Sequence, residues 1–453
     1  MMNKVVNDAE QVINKVTCSL KPMMNLPINL DVRSENDGIS ISIVTMMYDW
    51  YRAFNLYKYI ADQGYSINIQ FVEKEEDLHL DLFAKSHFVI MSKIISKKIF
   101  DICREYTKTQ NKILIFDIDD CFHQINKVNK SYDYYNKVSD IGQTGLNLLS
   151  EHIIQSDHVF YSTRELMAFY LTLNSSYSLL PNYLDIDFRY KNINVVDWRI
   201  AAKEQNCEFD ENTVVIGFFG SESHAEDLDI LENILPTIIA KKNVLLAICS
   251  GRDLIVHSIL KNCQIPYSKF FFYDFGNVVE YPKYIKSFNI GIAPLINNDF
   301  NICKTPLKLM EYGALGIPYV ASKVAPYQRF HIESHKVGGF LCENHEQWIL
   351  ALEKLIDDSE LRKNMGTELM KYVYNNNDVS NGFIPLMQSL KTIKDNSSNQ
   401  FKKPDYYQLS DIYNKIPKVR YHKTKDSICP CGSGDLYLNC KNACYPAWGE
   451  IKE

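Results

Sequence analysis

From Ile39 the chain alternates short β-rich apolar runs with stretches of helical period. ISISIVTMM (39–47), INIQFV (67–72), HFVIMS (87–92), ILIFD (113–117), HVFYS (158–162) and SLLPN (178–182) read as strands or strand ends, with helices near 51–62, up to Tyr106 and from Arg164 to Leu173. Strands separated by helices of this kind are the pattern of βαβ units and a parallel sheet. A polar stretch, Asp185 to Asn212, has no strong period and divides this series from a second one. The second series runs VVIGFFG, a helix over 224–241, VLLAICSG, FFFYDF, NIGIAPL, a helix over 306–315, PYVAS, and helices near 346–356 and 359–375. The expectation is an α/β protein of two sequential parallel-sheet halves facing a cleft. Ligands of open α/β sheets bind at the carboxyl ends of the strands, so that cleft is the expected site.

The boundaries that follow are an N-terminal extension (1–38), a first α/β domain (39–195), a second (196–385), an Asn/Ser/Lys-rich linker (386–425) and a cysteine-containing module (426–453). Length supports this division, since 453 residues correspond to two or three domains with full-sized cores. A formal charge of -6 argues against a surface dedicated to nucleic acid or anionic membrane. No apolar run approaches the ~18–20 residues of a membrane span. Asp8, Glu10 and Lys15 interrupt the N-terminus where a signal peptide needs an apolar stretch. The expectation is a cytoplasmic location, free or peripheral to the inner membrane.

The best-marked helix follows NIGIAPL. Thr305 reads as its N-cap and Pro306 as its first residue, while Gly316 and Pro318 end it. A helix N-terminus at the carboxyl end of a parallel strand favours an anion, and Lys304 and Lys308 add formal charge beside it. Glu311, three residues past Lys308, shares nearly the same face and is placed to accept hydrogen bonds from sugar hydroxyls. A capped surface helix with a Lys308–Glu311 ion pair is the plainer reading of the same spacing. A second strand–helix junction, VVIGFFGSESHAEDLDIL, has Gly220, which allows close backbone approach, Ser221 and His224 as candidate ligand contacts, and a capping box from Ser223 to Glu226; a helix-terminal surface residue is the plainer reading of His224. Arg252, after Gly251, is a further cation at a strand end.

Taken in order, these pieces resemble a GT-B fold glycosyltransferase of the nucleotide-sugar-dependent kind, particularly the bacterial group-1-like transferases, over about residues 39–385. The matching segments are Arg52 soon after the first strand, ILIFDIDD (113–120), HVFYSTRELMAFY with LLPNYLD (179–185), IGFFGSESHAEDLD (216–229), NIGIAPL with FNICKTPLKLMEYGALGIPYVAS (300–322), and ALEKLIDDSELRKNMG. The resemblance implies two Rossmann-like domains, a nucleoside-diphosphate sugar as donor and a glycan or protein hydroxyl as acceptor. It puts Glu311 at the ribose and Lys304, Thr305 and Lys308 at the diphosphate or sugar. Gly220, Ser221, His224, Arg252 and Asn301 join the donor side. Many such enzymes carry two glutamates separated by seven residues; here the earlier position is Cys303.

Asp117, Asp119 and Asp120 admit several readings. A D-x-D after a strand can chelate a divalent cation with a diphosphate. It also opens haloacid dehalogenase-like phosphatases, although Cys121 stands where that motif wants Thr or Val. A structural turn is another reading. The resemblance favours a fourth: the triplet lines the acceptor side with Arg52, without a catalytic metal, and Asp119 or Asp120 meets the substrate. Leaving-group charge then falls to Lys304, Lys308 and Arg252. The alternative of another class is a non-catalytic glycan or nucleotide recognition protein on the same two-lobed fold.

Cys429-Pro-Cys431-Gly-Ser-Gly followed by Cys440 places two thiolates on a tight knuckle and a third on a later turn, a set suited to tetrahedral Zn²⁺. So short a module cannot bury an adequate core, so metal supplies its folding free energy. The segment resembles the SEC-C zinc motif. Lys441 stands where that family usually has the fourth ligand, and Cys444 is the choice here. With the basic run Lys415 to Lys425 beside it, the module reads as a docking surface for a protein or the ribosome.

Overall fold

A computed structural model describes residues 39–45, 49–127, 129, 131–138, 142–221, 224, 226–250, 263–274 and 279–397. The first lobe is a six-stranded sheet of β1 (Ser40–Thr45), β2 (Ser66–Phe71), β3 (Phe88–Ser92), β4 (Ile113–Ile118), β5 (His158–Tyr161) and β6 (Tyr177–Leu179), in the order β2-β1-β3-β4-β5-β6. The second is a six-stranded sheet of β7 (Val214–Gly220), β8 (Val244–Ser250), β9 (Phe270–Asp274), β10 (Ile290–Ala293), β11 (Tyr319–Ser322) and β12 (Gly339–Cys342), in the order β12-β11-β10-β7-β8-β9. Every pairing in both sheets is parallel.

Parallel sheets are covered on both faces, which is why their strands read as near-continuous apolar runs. β1, β4, β7 and β8 are buried along their whole lengths. Each lobe has a core on either side of its sheet. The strand orders put one topological switch point between β1 and β3 and another between β7 and β10, and ligand crevices form at the carboxyl ends of such strand pairs.

Gly217, at the centre of β7, marks how tightly the second lobe packs: a Cβ there would lie 1.9 Å from the Phe288 ring. The chain passes between lobes twice, near Leu184 and near Asp378, and the two crossings are hydrogen-bonded. Leu184 N donates to Asn377 O at 2.8 Å and Val379 N to Leu184 O at 2.9 Å.

Three sequence expectations change. The helix over 224–241 is a 3-10 turn, Glu226–Leu231, followed by an α-helix, Leu235–Lys241; Ser223 lies outside the described residues. The helix after β10 is Leu307–Ala314, with Pro306 rather than Thr305 at its N-cap. Pro306 O accepts the first helical bonds, and the Thr305 hydroxyl is engaged elsewhere, by Asn182 Nδ2 at 3.2 Å. Its other end is as expected. Gly316 takes a left-handed φ of 71°, Ile317 N bonds to Tyr312 O and Gly316 N to Gly313 O, a Schellman closure.

The third change is in the stretch read as linker. The chain is helical over Val379–Ser397, and this helix lays Val379, Leu386, Leu390 and Ile393 on the first lobe's core beside Ile41, Tyr57 and Ile60. Its polar face had masked the apolar stripe. Among the described residues no helix is long and apolar enough to cross a membrane. Leu390 is fully buried, so Leu390→Ala is expected to destabilise the protein by about 2–5 kcal/mol, read as a lowered urea midpoint. A linker residue would show no such loss.

Candidate functional site

In the second lobe, β7 ends at Gly220 beside the end of β10, and the helix Leu307–Ala314 lays Lys308 across that glycine. A Cβ on Gly220 would sit 3.3 Å from both Cε and Nζ of Lys308. The close approach expected of Gly220 is therefore made by this lysine. Lys308 is 7% exposed and its Nζ lies 5.7 and 5.9 Å from the Phe218 and Phe219 rings. Among the described residues no carboxylate forms an ion pair with it. Burial, against the opposing pull of Asp227, lowers its ammonium to about 7.

Asp227 braces the same corner. Its Oδ2 lies 2.7 Å from His224 Nδ1, and its Oδ1 accepts from Ile296 N at 2.8 Å and Asn301 Nδ2 at 3.3 Å. Burial and the Lys308 charge lower His224 to about 4, so the imidazole is neutral. Facing a carboxylate, Nδ1 carries the proton, which leaves Nε2 as an acceptor. Asn301 also donates to Ile296 O at 2.9 Å, so its amide fixes the loop after β10.

Glu311 is 1% exposed. Its Oε1 accepts from three phenols, Tyr51 at 2.5 Å, Tyr190 at 2.6 Å and Tyr281 at 2.5 Å, and lies 3.6 Å from Arg189 Nη2. Burial raises all three tyrosines well above their ordinary range, so each stays a donor. The Arg189 guanidinium is boxed by the rings of Trp50, Tyr51, Tyr190 and Tyr281 at 5.1–5.6 Å. Trp50 and Tyr51 come from a π-helical turn of the first lobe, Arg189 and Tyr190 from the connector, and Tyr281 and Glu311 from the second lobe.

Facing this corner, the ends of β3 and β4 gather charge. Lys93 Nζ bridges Asp49 at 2.9 Å and Asp119 at 3.0 Å. Lys304, reaching over from the second lobe, lies 3.4 Å from Asp120. These cations separate two adjacent acids. Asp119 is partly buried, which raises its carboxyl, yet the Lys93 and Arg52 charges lower it overall. Burial and the Asp119 charge raise Asp120 despite Lys304, and its side chain is 29% exposed.

Residues 213–358 match the family model described as glycosyl transferases group 1. Over that segment, most of the second lobe, the chain is similar to the group 1 glycosyl transferases. Its GT-B-like fold is shared with the Anabaena protein HepE, solved with UDP-glucose, at 12% identity and a TM-score of 0.54 over 78% of this chain and 100% of that one. Sucrose-phosphate synthase from Thermosynechococcus elongatus gives 13% and 0.53 over 78% and 99%. A glycosyltransferase from Rickettsia africae gives 12% and 0.55 over 79% and 99%. No curated protein matches the chain significantly.

On this GT-B-like frame, Lys304, Lys308, His224, Gly220, Asp119 and Asp120 gather where the lobes face each other. Ser221 is exposed just past Gly220. Arg52 and Asp117, expected on the acceptor side, are 3% and 0% exposed and consume one another. Arg52 Nε donates to Asp117 Oδ2 at 3.1 Å, Nη2 to Oδ1, and Nη1 to Leu180 O and Asn182 Oδ1. The carboxylate needs that cation because it is out of water, and the pair serves as an internal brace. Thr305 is tied to the brace through Asn182. Cys303, where the resemblance led to an earlier glutamate being expected, faces the first lobe: its carbonyl accepts from Thr163 Oγ1 at 2.7 Å, and its thiol meets Cys121. Arg252 and the four C-terminal cysteines lie outside the described residues.

The sequence reading missed Tyr51, Arg189, Tyr190, Tyr281, Asp227 and Lys93. The surviving signal was the abundance of tyrosine, 29 in all, which names no position. Arg52→Met, which leaves Asp117 uncompensated, is expected to cost about 3–5 kcal/mol in urea unfolding, and adding Asp117→Leu to recover most of it.

Proposed function

We propose that the enzyme moves a sugar from a UDP-sugar to a hydroxyl of a glycan or protein, in the cytoplasm or at the periphery of the inner membrane. The observation that carries this reading is Lys308, a nearly buried ammonium at the switch point of the second lobe with no carboxylate paired to it among the described residues. A buried cation without a counter-ion is a seat for an anion. HepE, bound to UDP-glucose on the same fold, supports a uridine diphosphate as that anion.

In this reading the diphosphate lies against Lys308, with Lys304 turning toward it from Asp120. Gly220, Ser221, His224, Asn301, Thr305 and Arg252 belong to the donor side, and Glu311 accepts from the ribose. The acceptor oxygen forms its bond to the anomeric carbon as the bond to the diphosphate breaks. The electron pair leaves with the nucleotide, and the acceptor proton passes to a carboxylate. Asp120 fits that base better than Asp119, because its pKa is raised, its side chain is part exposed, and its cation is one the diphosphate attracts.

The sign of the pH effect follows from Lys308. Below about 7 it is charged and binds diphosphate best. A bound anion raises its pKa, so binding above that pH takes up a proton, and affinity falls toward tenfold per pH unit at about pH 8–9. Calorimetry with UDP in buffers of differing ionisation enthalpy measures the uptake. Lys308→Met should abolish both the uptake and turnover, and a flat affinity across this range contradicts the proposal.

We further propose one structural Zn²⁺ on Cys429, Cys431, Cys440 and Cys444, a thiolate set suited to that metal, in a module that docks the enzyme on a protein or the ribosome. Metal analysis of the full chain should find about one zinc, falling to none when Cys429 and Cys431 are replaced by serine.

A further inference from the structure

Glu311 is 1% exposed, and its Oε1 is already engaged: four groups converge on that atom, three phenols as donors and Arg189 Nη2 at 3.6 Å. Three of them, Arg189, Tyr190 and Tyr281, come from the connector and the second lobe, and Tyr190 and Tyr281 pack into the core that holds the Glu311 helix. Tyr51 differs. It stands on the turn Trp50–Phe54 of the first lobe, 260 residues away in sequence, so its hold on Glu311 changes whenever the lobes separate. A ribose hydroxyl is also an O–H donor, so it can replace the phenol on the same carboxylate without changing the charge of Glu311. Tyr190, Tyr281 and Arg189 would keep the carboxylate compensated during the exchange.

Resting on the reading of Glu311 as the ribose carboxylate, we infer that Tyr51 competes with the donor ribose for Glu311, and that nucleotide entry exchanges one hydroxyl for the other. Tyr51 is thus a gating residue of the donor site, closing it in the absence of nucleotide. Its hydroxyl also bonds Tyr281 at 2.6 Å and meets Arg189 Nη1 at 3.4 Å, so withdrawal breaks an interlobe contact of several bonds together.

The test is Tyr51→Phe, which keeps the ring and its packing and removes the competing donor. UDP should bind about tenfold more tightly to this variant, the size of one hydrogen bond to a charged group. UDP lacking both ribose hydroxyls, measured on the same preparation, should show no gain, and the gain should vanish in the Glu311→Gln background. Tyr190→Phe removes a donor from the same oxygen but is anchored outside the first lobe, and should not tighten binding. Unchanged or weaker UDP binding by Tyr51→Phe overturns the inference, as does an equal gain for the analogue or for Tyr190→Phe. If Glu311→Gln alone alters neither UDP affinity nor turnover, the ribose reading itself fails, a result separable from the failure of the gate.

Discussion

A carboxylate taken out of water must be met by a cation and by hydrogen-bond donors, and Glu311 is the place where this requirement organises the molecule. Its cation, Arg189, is itself buried and held among four aromatic rings. Neither charge can be satisfied within one lobe. The connector must run where Arg189 reaches the helix Leu307–Ala314, and the chain must leave β1 in a π-helical turn that aims Tyr51 at the same oxygen. The position of one lobe on the other follows from filling this site.

The other ties between the lobes differ in how they can break. Lys304–Asp120 is part exposed on both sides, 18% and 29%, and such pairs separate at little cost. Arg329 pairs with a fully buried Glu165, and breaking that contact leaves a carboxylate stranded. At the Glu311 cluster the group that comes from the first lobe is a neutral phenol, whereas the charged partners, Arg189 and Glu311, come from the connector and the second lobe. Neutral donors can be exchanged for other neutral donors without moving charge across a low-dielectric boundary. This makes lobe movement compatible with a site whose charges stay buried.

The two sheets were legible in the sequence because buried parallel strands leave apolar runs that need no knowledge of their neighbours, as VVIGFFG and VLLAICS illustrate. The end of the helix at Gly316 was legible for a similar reason, since a left-handed closure depends on local chemistry. Thr305 misled because a hydroxyl that caps well also serves well as an acceptor, and Asn182, 123 residues away, claimed it. Lys304, Lys308 and Glu311 stood out by spacing. The residues that decide what Glu311 can do did not, because Tyr51, Arg189 and Tyr281 meet only after both lobes have formed. Arg52 and Asp117 show the same limit: each looks like a cleft residue alone, and only the fold reveals that they satisfy one another.

Lys304 stands in the loop before the helix and Lys308 in its first turn, and the two differ chiefly in their counter-ions. Lys304 has Asp120 and the Phe300 ring, at 3.4 and 4.3 Å, and stays part exposed. Lys308 has aromatic faces and burial, and no carboxylate pairs with it among the described residues. An anion entering between them gains most from Lys308, whose charge is poorly compensated, and draws on Lys304 only by weakening its hold on Asp120. On the proposed reading, an anion held there would loosen the Lys304–Asp120 pair, so a single lysine would link the nucleotide to the acid of the first lobe.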